Sequence, residues 1–166
     1  TLAGLEEIAA LPGYEDVSAD LVDAILAEAG KLGAEVLAPL NQSGDIEGCV
    51  LENGVVRTPA GFKDAYRQFI DGGWNGMPFD PEYGGQGLPW LVATAVSEIW
   101  HSSNMAFALC PMLTGGAVEL LSTHGSDALK AVYLEKMVSG EWSGTMNLTE
   151  PQAGSDLARV RTKAVP

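Results

Sequence analysis

Apolar residues recur with a helical period over most of the chain, and this pattern predicts a bundle of amphipathic helices. One face of the longest early helix carries Leu21, Ile25 and Val36. Ser18 is suited to cap the start of this helix, and Pro39 is expected to end it. The same periodicity predicts further helices over residues 2–11, 59–70, 91–101, 104–121 and 127–138.

Three stretches interrupt the helical pattern between these helices. Residues 41–48 are polar and contain glycine, which predicts a loop. Asn53-Gly54 lies between short apolar runs, which is a strong signal for a β-hairpin. Residues 74–89 are rich in Gly and Pro. They predict a rigid connecting loop rather than a phosphate cradle, because the GxGxxG spacing and a preceding strand are both missing.

The apolar pattern becomes strand-like near residue 140. Residues 160–165 alternate in the manner of a β-strand, and the chain stops within that alternation. The sequence therefore predicts a mainly α fold with two parts. Residues 1–140 would form an N-terminal helical domain with a small hairpin, and residues 141–166 the truncated start of a β domain. This organisation is what a fragment of a longer protein would show.

Residues 104–121 are almost entirely apolar, and they predict a helix at the centre of the bundle. A second interpretation is that residues 106–114 form the wall of a tunnel for an apolar ligand. In the helix that follows, four apolar residues are expected to face inward: Leu129, Val132, Tyr133 and Met137.

Composition and charge narrow the function classes. The chain has 166 residues, of which 46% are hydrophobic and 19% charged, as in a globular domain. Its net charge of −13 argues against nucleic acid or an anionic membrane as a partner, because both require clustered Lys and Arg. The longest apolar run, residues 105–113, contains Pro111 and is too short to span a bilayer. Without a signal peptide, a cytoplasmic location is expected.

Few residues carry an independent chemical signal. Cys49 and Cys110 could form a disulfide, but reduced, buried thiols are favoured for a cytosolic protein. Metal-binding and hydrolase motifs are missing from the sequence, so no metal site is predicted. His101 and His124 lie at predicted helix ends, where a capping or packing role is more typical than catalysis.

The most informative stretch is residues 146–156. It begins strand-like and breaks at Glu150-Pro151, because proline moves the preceding residue out of the helical region. Gly154 tolerates unusual backbone angles, and Thr149 and Ser155 supply hydroxyls, so the loop suits an anionic or hydrogen-bonding ligand. For Glu150, a structural hydrogen-bonding role is favoured over that of a general base. On physical grounds alone, an ordinary turn after a strand explains the same residues.

The string Thr-Glu-Pro-x-Ala-Gly-Ser-Asp at 149–156 resembles the signature of the acyl-CoA dehydrogenase family. The Tyr-Gly-Gly-x-Gly-Leu turn at 83–88 is a second match. Gly-Asp-x-Glu-Gly at 44–48 and Gly-Gly-Trp-Asn-Gly at 72–76 are similar to the longer members, in the methylthiopropionyl-CoA dehydrogenase branch. The resemblance extends from residue 21 to residue 166, and it implies the N-terminal helical bundle of that family.

The resemblance also implies a reaction, a cofactor and a set of contacts. Family members use FAD to oxidise the Cα–Cβ bond of an acyl-CoA thioester to the 2-enoyl-CoA. By resemblance, Met146, Leu148 and Thr149 would bind along the flavin ring. Gly154 and Ser155 would lie near the FAD pyrophosphate, with Ser155 also near the CoA.

By the same resemblance, Met112 and Thr114 would contact the acyl chain of the substrate. The catalytic glutamate of the family would lie outside this chain, so no catalytic residue is predicted here and the fragment alone is expected to be inactive. The implied partners are an electron-transfer flavoprotein and further copies of the chain, in a homodimer or homotetramer.

Two other functions remain open from the sequence. A flavin oxidase or monooxygenase could use the same scaffold with oxygen. A non-enzymatic helical interaction module would fit the apolar helix at 104–121 and the negative charge, although the unpaired strand edges of a partial β domain argue against it.

Overall fold

A computed structural model describes residues 4–165 and confirms a mainly helical fold with one small hairpin. The two strands are β1 (Val50–Glu52) and β2 (Val55–Arg57). The α-helices are α1 (Leu5–Ala9), α2 (Ala19–Leu32), α3 (Ala38–Glu47), α4 (Phe62–Asp71), α5 (Trp90–Ser103), α6 (Met105–His124) and α7 (Asp127–Val138). Of the helix predicted over residues 2–11, residues 2 and 3 lie outside the described residues, and the described part is helical only at Leu5–Ala9.

The α2 helix begins as predicted, but Pro39 does not end the helical rod. The Ser18 side chain accepts a hydrogen bond from Leu21 N at 3.2 Å, which confirms the cap. A π-helical turn at Gly33–Leu37 then joins α2 directly to α3. In this turn the Ala38 amide donates to the Gly33 carbonyl, one residue further back than in an α-helix. This wider turn admits a proline ring that would otherwise crowd the preceding turn.

The prediction of a loop at 41–48 is wrong, because α3 continues to Glu47. Gly44 is buried where α3 crosses α4, and a Cβ at this position would lie 2.5 Å from the Phe62 ring. The polar residues that suggested a loop are instead the exposed side of a helix. Gly44 is required by the close approach of an aromatic side chain, which local sequence does not reveal.

The predicted hairpin is confirmed, with Leu51 paired to Val56 in an antiparallel register. Asn53 and Gly54 take φ values of 52° and 77°, the left-handed values of a tight two-residue turn. Glu47 holds the hairpin against the helices. Its carboxylate accepts hydrogen bonds from Arg57 Nη1 at 2.7 Å and from the Ala60 amide at 2.9 Å.

The main core lies between α2, α4, α5 and α6, and Phe69 is at its centre. The Phe69 ring meets the Trp100 ring at 5.8 Å and the Phe107 ring at 5.7 Å, both edge to face. A smaller core joins α6 and α7 to the connection that precedes α5, and it contains Phe79, Val118, Leu134, Met137 and Val138.

The connection at residues 74–89 is a fixed loop, as predicted, with 3₁₀ turns at Trp74–Gly76 and Pro81–Tyr83. Asn75 is buried in it, and its amide donates to the Met137 and Val138 carbonyls at 2.8 and 3.0 Å. These carbonyls belong to the last turn of α7, and that of Met137 also accepts a hydrogen bond from the Gly140 amide at 3.2 Å. The loop therefore caps α7.

Gly85 is the position in this loop where the backbone leaves least space for a side chain. A Cβ there would lie 2.0 Å from the Phe79 carbonyl oxygen, which already accepts a hydrogen bond from the Gly87 amide. Because backbone atoms cannot move aside cheaply, Gly85→Ala is expected to lower the free energy of unfolding by about 1–3 kcal/mol. Urea denaturation measures it.

Gly116→Ala is the control for Gly85→Ala. Its Cβ would meet no heavy atom within 4 Å, and Gly116 lies inside α6. Alanine there is expected to stabilise the protein by up to about 1 kcal/mol through its higher helix propensity. Equal effects of the two substitutions would contradict the steric account of Gly85.

The α6 helix is buried on one side only, so its predicted place at the centre of the bundle is not what the structure shows. Phe107, Thr114 and Val118 are buried, whereas Met105 and Leu120 are exposed on the other side. Pro111 lies inside the helix and does not shorten it. By length and composition α6 could cross a bilayer, contrary to the expectation from the shorter run at 105–113, although a core helix passes the same test.

The α7 helix turns a different face inward from the predicted one. Met137 is buried as predicted, but Leu129, Val132 and Tyr133 are exposed. Leu134 and Val138 take the inward positions. The helix carries two apolar stripes with valid helical spacing, and only the packing against α6 decides between them.

Residues 141–165 contain no regular strand, so the predicted strand at 160–165 is wrong. Their ordered features are an isolated bridge between Glu150 and Ala153 and a 3₁₀ turn at Leu157–Arg159. An alternating segment needs a neighbouring strand to pair its backbone groups. The division of the chain at residue 140 into two domains stays a prediction.

Candidate functional site

The signature segment forms a tight turn held by its own backbone. The Glu150 amide donates to the Ala153 carbonyl at 3.1 Å, and the Ala153 amide donates back to the Glu150 carbonyl at 3.0 Å. Pro151 sits inside this turn, where it needs no amide hydrogen. Ala153, the last residue of the turn, is fully buried. The turn therefore presents the residues on either side of it, 146–149 and 154–156, in fixed directions.

The Glu150 carboxylate ties this turn to a segment eleven residues away. It accepts hydrogen bonds from the Arg161 amide at 3.0 Å, the Thr162 amide at 2.8 Å and the Thr162 hydroxyl at 2.6 Å. Gln152 Nε2 donates to it as well. We call this set of contacts the Glu150 clamp. The Thr162 hydroxyl, followed by the amides of Arg161 and Thr162, lowers the pKa of Glu150 to about 2.

A carboxylate held in this way is a structural acceptor and is poorly suited to take a proton from a substrate. The clamp thus agrees with the structural role predicted for Glu150. The hydrogen-bond partners of Glu150 could not be predicted, because nothing in the spacing links Arg161 and Thr162 to Glu150.

The residues predicted to bind the flavin lie on both sides of the clamped turn. Met146 and Leu148 are exposed despite being apolar, at 65% and 42%. Thr149, Gly154 and Ser155 are also exposed. Within residues 4–165, the amides of Gly154 and Ser155 donate to no protein acceptor, so they are available to a ligand. Gly154 has no positive φ and open space at its Cβ position, so the unusual backbone expected of it is not used.

The two predicted acyl-chain residues have different surroundings. Met112 is half-exposed and lines a narrow pocket of about 250 Å³ between α5 and α6. Thr114 is fully buried, and its hydroxyl donates to the Cys110 carbonyl at 3.0 Å and accepts from the Gly144 amide at 3.2 Å. Thr114 therefore fastens residue 144, close to Met146, onto α6.

Replacing Thr114 with valine tests this attachment. Valine keeps the shape but leaves the Gly144 amide without its acceptor, which is expected to cost about 1–3 kcal/mol of unfolding free energy. Increased hydrogen exchange at Gly144 and thermal denaturation would measure the effect. Thr123→Val, at an exposed site on the same helix, is the control and should be nearly neutral. A Gly144 amide that stays protected in Thr114→Val would contradict this role.

Tyr66 fastens the same segment at a second point, and the sequence did not reveal this role. It lies in the helix predicted over residues 59–70, and its hydroxyl donates to the Gly140 carbonyl at 2.9 Å. Burial, followed by the neighbouring Cys110, raises the pKa of Tyr66. The two residues are 74 positions apart, so no local pattern could have paired them.

Both cysteines are free and exposed, so the prediction of buried thiols is wrong. Cys49 and Cys110 line a single cavity of about 930 Å³ bounded by α3, the residues on either side of the hairpin, α4 and α6. We call this space the α3–α6 cavity. Among the described residues, no group of three or more His, Cys, Asp or Glu side chains is arranged to hold a metal ion.

The mainly helical fold agrees with the class of protein that the sequence resembles. Residues 23–141 match the family described as Acyl-CoA dehydrogenase, N-terminal domain, and the chain belongs to this family. The resemblance seen in the sequence and the helical domain it implied are thereby confirmed.

Individual relatives agree with this assignment. The chain is 53% identical over 160 residues to 3-methylmercaptopropionyl-CoA dehydrogenase of Ruegeria pomeroyi, covering 96% of the chain and 27% of that protein. It is 33% identical over 166 residues to a butyryl-CoA dehydrogenase of Syntrophomonas wolfei, again covering 27% of the relative. The structure also superposes on glutaryl-CoA dehydrogenase in its glutaryl-CoA complex, with a TM-score of 0.71 and 26% identity over 86% of the chain and 34% of that chain. The chain thus spans about a quarter of the length of these curated relatives.

Proposed function

We propose that the protein is an FAD-dependent acyl-CoA dehydrogenase that oxidises the Cα–Cβ bond of an acyl-CoA thioester to the 2-enoyl-CoA. The observation that carries this proposal is the clamped turn at 150–153. In a chain of this family, it holds exposed apolar side chains on one side and unused amides on the other.

The residues beside the turn fit FAD by their chemistry. Met146 and Leu148 offer apolar contacts to a flat ring, and the Thr149 hydroxyl offers a hydrogen bond to its polar edge. The free amides of Gly154 and Ser155 suit the anionic pyrophosphate. When bound, FAD would accept the hydride that leaves the substrate β-carbon.

On the substrate side, we propose that Ser155 contacts the CoA portion and that Met112 contacts the acyl chain. Thr114 would support the substrate site indirectly, by holding Gly144 in place, because its hydroxyl already makes hydrogen bonds to the Cys110 carbonyl and the Gly144 amide. By family resemblance, we propose that the general base that removes the α-proton lies outside these 166 residues. Glu150 is not suited to this role, because it is committed to its clamp. Residues 141–166 would then belong to a β domain that contributes to the same site.

By family resemblance we also propose an electron-transfer flavoprotein as the electron acceptor, a homodimer or homotetramer as the assembly, and a cytoplasmic location.

An absorption spectrum of the purified full-length protein, followed by anaerobic titration with acyl-CoA thioesters, tests the proposed reaction. Bound flavin that bleaches with a thioester is the expected result. A protein that takes up no flavin, or whose flavin is not reduced by any acyl-CoA, would overturn the proposal. Rapid reoxidation by oxygen would point instead to an oxidase.

A further inference from the structure

Residues 140–144, which we call the anchored segment, lead from the end of α7 to the residues proposed to bind the flavin. A glycine stands at each end, and each packs closely against a helix. A Cβ on Gly140 would lie 2.5 Å from the Ile70 side chain of α4. A Cβ on Gly144 would lie 2.5 Å from the Ala117 side chain of α6. The anchored segment therefore lies directly on the helical bundle at both ends.

Hydrogen bonds to three different helices hold the anchored segment. Tyr66 of α4 bonds to its first residue at 2.9 Å, and Thr114 of α6 bonds to its last residue at 3.2 Å. Between these ends, the Trp142 amide donates to the Lys136 carbonyl of α7 at 2.9 Å. The path of the segment over the bundle is thus set by groups from α4, α6 and α7 together.

The five residues that follow, 145–149, have no such support. Within residues 4–165 they make no hydrogen bond to the rest of the protein. They carry the three side chains proposed to lie along the flavin ring, and all three are exposed. Their position is determined by their two neighbours, Gly144 of the anchored segment and Glu150 of the clamp. A displacement at either end would therefore move the side chains proposed to contact the flavin.

Tyr66 is well placed to fix one of these ends, because its own ring is held in the main core. The ring lies 6.2 Å from the Phe69 ring and 6.3 Å from the Phe107 ring. Burial, followed by the neighbouring Cys110, raises the pKa of Tyr66, so its hydroxyl keeps its proton well beyond neutral pH. The hydroxyl can thus donate steadily to Gly140 and relate its position to the core.

Packing alone does not define the anchored segment on its outer side. Tyr66 and Ser143 both line the α3–α6 cavity, and Ser143 is exposed, so the segment borders open space there. Apolar contacts are non-directional, whereas a hydrogen bond fixes both a distance and an angle. The bond from Tyr66 is therefore what determines where this part of the segment lies.

We propose that Tyr66 is a positioning residue for the flavin. Through its hydrogen bond to Gly140 it holds the anchored segment, and with it residues 145–149, in the conformation that binds FAD. This inference rests on the proposed function, in which FAD is the cofactor. It adds to the flavin site a residue that acts through Gly140, 74 positions further along the chain.

Tyr66→Phe tests this role, because phenylalanine keeps the ring contacts and removes only the hydroxyl. The full-length apoprotein would be titrated with FAD and followed by flavin fluorescence. The dissociation constant is expected to rise about three- to tenfold, the range that corresponds to the loss of one hydrogen bond. The visible circular dichroism of the bound flavin is expected to change as well, because the side chains around the ring are no longer held in one arrangement.

Tyr83→Phe is the matched control. Within the described residues the Tyr83 hydroxyl donates to no protein acceptor, so its removal is expected to leave FAD binding unchanged. Titrations are made at a temperature where each variant is fully folded, so a loss of stability alone would not alter the dissociation constant. If Tyr66→Phe is too unstable for this, Thr114→Val releases the other end of the anchored segment and is expected to weaken FAD binding by a similar factor.

The results separate this inference from the proposed function. FAD affinity that is the same in the unaltered protein, Tyr66→Phe and Thr114→Val would overturn the positioning role and leave the dehydrogenase intact. Weaker FAD binding in these variants, together with a flavin that no acyl-CoA reduces, would support the positioning role and overturn the reaction. An unaltered protein that takes up no FAD would overturn both.

Discussion

Replacing Phe69 with alanine is expected to lower the free energy of unfolding by about 3–5 kcal/mol, the largest effect of a single substitution in the helical core. Phe69 is 2% exposed, and its ring is in edge contact with those of Trp100 and Phe107. Alanine would leave a cavity among side chains from α4, α5 and α6. Because a domain of this size is stable by only about 5–15 kcal/mol, the loss would be a large part of the total.

Urea denaturation of the full-length protein would measure the effect of Phe69→Ala. Gln68→Ala is the matched control, since it alters the neighbouring, exposed residue of the same helix and should change stability by less than about 0.5 kcal/mol. Phe69→Leu should fall between the two. A loss below about 1 kcal/mol for Phe69→Ala would show that the ring is not central to the core.

Replacing Glu150 with glutamine is expected to weaken flavin binding by about tenfold or more. Glutamine presents one acceptor oxygen in place of two, so the amides of Arg161 and Thr162 and the Thr162 hydroxyl can no longer all be satisfied. If the clamped form of the turn falls to about a tenth of the population, the apparent affinity falls in proportion. Fluorescence titration of the apoprotein with FAD would give the change.

The hydrogen bonds of the Glu150 clamp are expected to depend on pH. The pKa of Glu150 is lowered to about 2, so the clamp's contribution is complete above the ordinary carboxyl pKa of 4.5 and declines as the pH falls toward 2. Hydrogen exchange at Arg161 and Thr162 should therefore accelerate, relative to its intrinsic rate, in acid. In Glu150→Gln this additional acceleration should be lost.

Glu135→Gln is the control for both measurements, because Glu135 is exposed on α7 and outside the clamp. Flavin affinity equal in Glu150→Gln and Glu135→Gln would show that the clamp does not position the proposed flavin site.

The sequence predicted the features whose cause is local. Ser18 caps α2 with its own side chain, and Asn53-Gly54 supplies the left-handed angles of the hairpin turn. Pro39 misled the prediction because the π-helical turn that admits it is recognised only in three dimensions. The inward face of α7 could not be chosen either, since two of its stripes have helical spacing and α6 covers only one.

In the candidate site, too, local features could be predicted and long-range contacts could not. The Thr-Glu-Pro string located the turn, and the structural role favoured for Glu150 agrees with the hydrogen bonds found. The partners of that glutamate, and the anchors at Gly140 and Gly144, lie eleven to 74 residues away and follow from packing alone. The predicted contacts of Met146, Leu148, Thr149, Gly154, Ser155, Met112 and Thr114 with ligands stay predictions.

The anchors at Gly140 and Gly144 bear on where the protein can be divided for engineering. A cut at residue 140, the boundary that the sequence suggests, would remove the partner of Thr114 and uncover Ala117, next to which Gly144 is packed. A helical fragment intended for expression, or the first half of a split reporter, should therefore extend through residue 144.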